Sequence, residues 1–86
     1  MYYRCYGRVQ NVGFRYHASR LARALRMTGY VRNCEDGSVE MELQGEDAAF
    51  GMFFKSLDQD SYINIARTES KRMEVVEGEL GFTARY

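Results

Sequence analysis

The sequence has no proline and no tryptophan, a single histidine (His17), two cysteines (Cys5 and Cys34), and 12 Lys+Arg set against 12 Asp+Glu. Each scarcity excludes something. Two cysteines are too few for a disulfide-built scaffold, and with one histidine they fall short of the roughly four ligands of a structural zinc site. Two thiols in a reducing compartment is the favoured reading, and a Cys5–Cys34 bridge is an alternative that nothing in the sequence supports. One histidine leaves imidazole catalysis without partners, so His17 reads as a surface or helix-packing residue. A formal net charge of zero offers no overall field to attract nucleic acid or a membrane. No apolar run is long enough to span a bilayer, and Met1-Tyr2-Tyr3-Arg4 lacks the basic-then-apolar layout of a signal peptide. A soluble, cytoplasmic protein is expected, with the monomer as the default and no metal or cofactor.

What is present suits one globular domain over residues 1–86, with a hydrophobic share of 45% that argues against disorder. Tyr2 to Val9 is aromatic-rich and reads as a strand, with Gly7 a bulge or close-approach point. Gln10-Asn11-Val12-Gly13 breaks that pattern. Phe14, Ala18, Leu21, Ala22 and Leu25 then recur at helical spacing, while Arg15, Ser19, Arg20, Arg23 and Arg26 fall largely off their face. Gly29 reads as the helix terminator. Tyr30 to Asn33 is a short strand, and Glu35-Asp36-Gly37 signals a hairpin. Val39, Met41 and Leu43 alternate with polar residues in the cleanest half-buried strand of the chain. A second helix opens at Gly45-Glu46-Asp47, with acids suited to its positive end, and Ala49, Phe50, Phe53, Phe54 and Leu57 on its inner face. A fourth strand is expected within Ile63–Val76, its polar centre suiting a sheet edge, and a fifth over residues 82–86.

This order implies an α+β, ferredoxin-like split βαβ sandwich (βαββαβ), an antiparallel sheet with two helices on one face. A crossover helix joins strands one and two, so they run parallel with strand three between them. Their C-terminal ends, the Gln10–Phe14 loop and Asn33, then share one sheet edge about two strand spacings of ~4.8 Å apart.

The informative stretch is Gly7-Arg8-Val9-Gln10-Asn11-Val12-Gly13-Phe14-Arg15. A tight loop into a helix N-terminus presents backbone N–H groups that have no intrahelical partners, which suits an anion. A cation there is unfavourable by about 0.3–1 kcal/mol, so Arg15 calls for solvent or a bound anion. An arginine fork matches phosphate oxygens. A solvated Arg15 beside a glycine that only makes the turn accounts for the same residues, and the residues alone do not choose. The loop is no Walker A motif, lacking its Gly-Lys-Ser/Thr ending.

Gly-Arg-Val-Gln-Asn-Val-Gly-Phe-Arg (7–15), Gly-Tyr-Val-Arg-Asn (29–33), Asp-Gly-Ser-Val-Glu (36–40) and the ending Gly-Phe-Thr-Ala-Arg-Tyr (81–86) together resemble the acylphosphatase family over nearly the whole chain. The resemblance implies hydrolysis of the carboxyl–phosphate bond of a small-molecule acyl phosphate, with inorganic phosphate as product and competitive inhibitor. It implies that Gln10, Asn11, Val12, Gly13, Phe14 and Arg15 hold the phosphate and that Asn33 positions the attacking water. Arg15 and Asn33 are then the catalytic pair. The family's fold agrees with the topology read from the residues. The departure is Asn11, where the family pattern has glycine; asparagine tolerates left-handed angles better than most residues. The segment after the second helix also lacks the family's usual prolines.

Two other functions fit less well. A non-catalytic module of the same fold, binding an anionic or carbamoyl-phosphate-like ligand, would not need Asn33. An RNA-binding domain could use Tyr2, Tyr3 and Tyr6 for stacking, but Val39-Glu40-Met41-Glu42 is acidic where a basic-aromatic motif would stand. Cys34 reads as an incidental loop thiol, and Arg20, Arg23 and Arg26 as a solvated helix face.

Overall fold

Period-two alternation puts Tyr3 and Cys5 on the inner face of β1 (Tyr2–Arg8), and the same rule buries Val31 of β2 (Thr28–Asn33) and Met41 and Leu43 of β3 (Val39–Gln44). In the computed structural model, which describes residues 1–85, these side chains meet α1 (Phe14–Ala24) and α2 (Asp47–Asp58). Phe14, Ala18 and Ala22 come from α1, and Ala49, Phe53 and Leu57 from α2, in one core. The strands β4 (Asn64–Lys71) and β5 (Phe82–Arg85) complete a sheet of order β4-β1-β3-β2-β5. Tyr86, expected at the end of the fifth strand, lies outside the described residues.

The pairings β4–β1, β1–β3 and β3–β2 are antiparallel, with Tyr3 opposite Met41 and Val31 opposite Met41 across the centre. β1 and β2 therefore point the same way with β3 between them, as the crossover requires. The sheet is not wholly antiparallel, however. β5 adds to the free edge of β2 in parallel, Gly29 facing Phe82 and Val31 facing Ala84, so the five-stranded sheet is mixed. The connection from β4 to β5 passes from one outer edge to the other, and that reversal sets β5 parallel to its neighbour. β4 is an almost fully exposed edge strand, and its register against β1 shifts at Tyr6/Gly7, where a bulge was expected.

Helix α1 does not end on Gly29. It closes in a Schellman motif: the Met27 amide donates to the Ala22 carbonyl (2.8 Å) and the Arg26 amide to that of Arg23 (3.2 Å). Arg26 takes the left-handed position, φ 56°, normally given to glycine. Met27 buries at the following position and fixes the exit of the chain. Gly29 instead belongs to β2, where an added Cβ would stand 1.9 Å from the Glu42 carbonyl oxygen; only glycine lets β2 and β3 approach so closely.

The face of the sheet away from the helices carries Tyr2, Tyr30, Arg32 and Glu40 in a polar lattice. Tyr2 donates to Glu40 (2.8 Å), Tyr30 to Glu42 (2.9 Å), and Arg32 Nε to Glu40 (2.8 Å). Burial, then the Glu40 hydrogen bond, pushes the Tyr2 phenol up to about 12. Burial alone would raise Glu40, but the bonds from Tyr2 and Arg32 outweigh it and hold its carboxyl below the ordinary value. Tyr6 similarly donates to Glu69 (2.9 Å). Tyrosines tied to carboxylates this way present no cationic platform for a nucleic-acid backbone, and Tyr3 is in the core.

Candidate active site

The loop from β1 into α1 takes its shape from two left-handed residues. Asn11 has φ 61° and Gly13, the N-cap of α1, has φ 81°. A left-handed residue followed by a right-handed one turns successive N–H groups toward one point. The first intrahelical bond is His17 N–H to Gly13 O (2.9 Å). The amides of Phe14, Arg15 and Tyr16 thus lie ahead of any intrahelical acceptor, and no side chain caps the helix. The first turn carries no acid, so no residue of that turn offsets the positive end of α1.

Over this helix end lies a cavity of about 360 Å³, lined by Asn11, Gly13, Phe14 and Arg15 on one side and by Asn33 at the end of β2. Arg15 and Asn33, 18 residues apart in sequence, line the same cavity, as the shared sheet edge predicts. The remaining walls are Val9, Tyr16, Ser19, Arg23 and Ala84. Arg15 Nη1 donates to the Arg85 carbonyl (3.1 Å), which steadies the guanidinium against β5.

Two loop residues expected at the phosphate do not line the cavity. Val12 packs half-buried against the core. The side chain of Gln10 turns the other way: Nε2 donates to the carbonyls of Cys34 (2.7 Å) and Ser38 (2.9 Å). Those carbonyls frame the β2–β3 turn, which also closes on Cys34 N–H to Ser38 O (2.8 Å). Gln10 therefore ties the loop after β1 to the turn that directly follows Asn33. Within that turn the Asp36 carboxylate accepts from the Ser38 amide (2.9 Å) and hydroxyl, and these bonds lower its pKa. Arg4 Nε also donates to Ser38 Oγ (3.0 Å).

The sequence reading missed Arg23. It is on the exposed side of α1, yet it lines the cavity and its Nη2 donates to the Phe82 carbonyl (3.2 Å). The available signal was the spacing of Arg15, Ser19 and Arg23, one stripe at i, i+4 and i+8. Ser19, assigned to the outer face, is buried, with its hydroxyl donating to Arg15 O (2.7 Å). Arg20 does face solvent, 5.6 Å from the Tyr16 ring. His17 pairs with Asp60 (2.8 Å) beside the end of α2, away from the cavity. Cys5 is buried and Cys34 half-buried, both as free thiols. Among the described residues no group of three or more His, Cys, Asp or Glu is arranged to hold a metal ion, and no helix is long and apolar enough to cross a membrane.

The family model described as Acylphosphatase matches residues 1–84. An acylphosphatase of Geobacillus kaustophilus is 37% identical over 81 residues, covering 93% of this chain and 86% of its own. One from Clostridium acetobutylicum is 36% identical, covering 93% and 89%. Among solved structures, the crystal structure of acylphosphatase from Bacillus subtilis superposes with a TM-score of 0.86 at 30% identity, covering 99% of this chain and 98% of that one.

Proposed function

The chain belongs to the acylphosphatase family of enzymes that hydrolyse acyl phosphates, and on that premise we propose how its residues divide the work. The phosphoryl oxygens sit against the first-turn amides of α1 and the Asn11–Phe14 backbone, with the Arg15 guanidinium supplying a fixed positive charge. The Asn33 carboxamide orients a water for in-line attack on phosphorus. The phosphorus–oxygen bond to the acyl group breaks, a carboxylate leaves with that electron pair, and the water's oxygen stays on phosphorus while its proton passes to the phosphate or solvent. A carboxylate is a good leaving group, so a strong general acid is not required. This accounts for a site with no histidine, Asp, Glu or cysteine among its described lining residues. Catalysis then comes from positioning and from charge already in place.

The observation that carries this reading is the single cavity shared by Arg15 and Asn33 at an uncapped helix N-terminus. Gln10 acts in it by holding the turn rather than by touching phosphate. A monomer built as one domain over 1–86 is the default for so small a chain. The two free thiols fit a reducing, cytoplasmic setting.

Loss of benzoyl phosphate absorbance measures the reaction directly. Turnover is expected with the unmodified protein, with inorganic phosphate inhibiting competitively. Arg15→Ala and Asn33→Ala should each cost about 10²–10³ in rate, the usual effect of losing one preorganised donor, while circular dichroism stays unchanged. Near-normal turnover in either folded variant removes that residue from the mechanism. Phosphate binding without turnover would mark the chain as a binding module.

A further inference from the structure

The cavity extends beyond the helix end. Arg15, Ser19 and Arg23 follow one another along α1, so the Arg23 Cα stands about 12 Å farther along the axis at about 1.5 Å per residue. Both arginines line the cavity, and none of its described lining residues is an Asp or Glu, although the chain as a whole carries as many acidic as basic residues. Each is moored to a carbonyl of β5, Arg15 to Arg85 and Arg23 to Phe82. Mooring limits the rotamer freedom a long cation would otherwise lose on pairing with a ligand. Ser19, between them on α1, and Ala84, between Phe82 and Arg85 on β5, also line the cavity. Ser19 has its hydroxyl committed to Arg15 O and is not a donor aimed at a ligand.

We propose that Arg23 is a specificity-determining residue that pairs with a second anionic group on the acyl portion of the substrate, so that acyl phosphates bearing a distal carboxylate or phosphate are preferred. This rests on the placement of the phosphoryl group at Arg15 and Asn33. The pair forms at the mouth of the cavity, where Arg23 is exposed. Its effect is therefore that of a partly solvated ion pair, about fivefold in affinity at most, and screened by salt.

The test compares kcat/KM for benzoyl phosphate and 4-carboxybenzoyl phosphate in the unmodified enzyme, Arg23→Gln and Arg23→Lys. The unmodified enzyme should prefer the carboxylated substrate by about fivefold, the preference residing in KM and shrinking as salt rises. Arg23→Gln should bring the ratio close to that set by the leaving groups alone, and Arg23→Lys should restore part of it. An identical ratio in the unmodified enzyme and Arg23→Gln overturns the proposal. If Arg23→Gln does not fold, a preference in the unmodified enzyme that is insensitive to salt overturns it equally. Hydrolysis of neither substrate would instead sink the catalytic reading on which it depends, and this proposal with it.

Discussion

The side-chain amide of Gln10 spans from the end of β1 to the Cys34 carbonyl at 2.7 Å, and Cys34 is the residue that follows Asn33. A second bond, to Ser38 O at 2.9 Å, makes the tie bidentate. The loop that receives an anion and the strand end that carries the carboxamide are thereby held at one separation, although β3 lies between their strands.

Removing that tie should loosen the site without emptying it. Gln10→Ala is expected to lower stability by about 1–3 kcal/mol, since two net hydrogen bonds are lost. The rate should fall at least tenfold through kcat, because misplacing a positioned group by even about 1 Å is costly. Competitive inhibition by phosphate should change less, since the amides and Arg15 remain. Urea unfolding and steady-state kinetics check both. An unchanged kcat in a destabilised variant would make Gln10 purely structural.

Asn11 occupies a left-handed conformation, φ 61°, which asparagine accepts and β-branched residues resist. Asn11→Gly should therefore keep its fold and activity, with stability within about 1 kcal/mol of the unmodified protein. Asn11→Val should weaken inhibition by phosphate and lower the melting temperature. Equal behaviour of the two variants would mean that the loop does not depend on this backbone geometry.

The two thiols differ in surroundings. Burial pushes Cys5 from its ordinary value near 9 up to about 11, with the Thr68 hydrogen bond only partly opposing it. An unfolded chain releases that proton earlier, so between pH 9 and 11 the unfolded state binds fewer protons and stability falls as pH rises. Melting curves across that window should show a shallower decline in Cys5→Ala than in the unmodified protein. A thiol reagent such as Ellman's should modify one cysteine in the folded protein, the half-buried Cys34, and two after unfolding. A parallel pH decline in both proteins would show that the Cys5 thiol does not contribute.

Much of this was legible in the residues because their periodicities are local and strong. Alternation places Met41 and Leu43 inside, and the crossover rule places Asn33 beside the Gln10–Phe14 loop. Features governed by tertiary contact were not legible. Arg26 rather than Gly29 ends α1, because burying Met27 outweighs the cost of a left-handed arginine. The direction of β5 depends on a connection across the sheet with no periodic signal. Gln10 belongs to the same motif as Arg15, and only its two carbonyl partners, 24 and 28 residues away, distinguish a brace from a ligand contact. Arg23 looked like solvated surface because its other wall, β5, is contributed from the far end of the chain.

One phosphate is expected to engage the start of α1 and the end of β2 together, and a phosphate titration followed by ¹⁵N-resolved NMR reads both ends at once. The backbone amides of residues 11–16 and the side-chain amide of Asn33 should shift along one binding curve, and Arg15→Ala should weaken that curve as a whole. A loop that responds while the Asn33 amide stays still, or the two responding with different affinities, would contradict it.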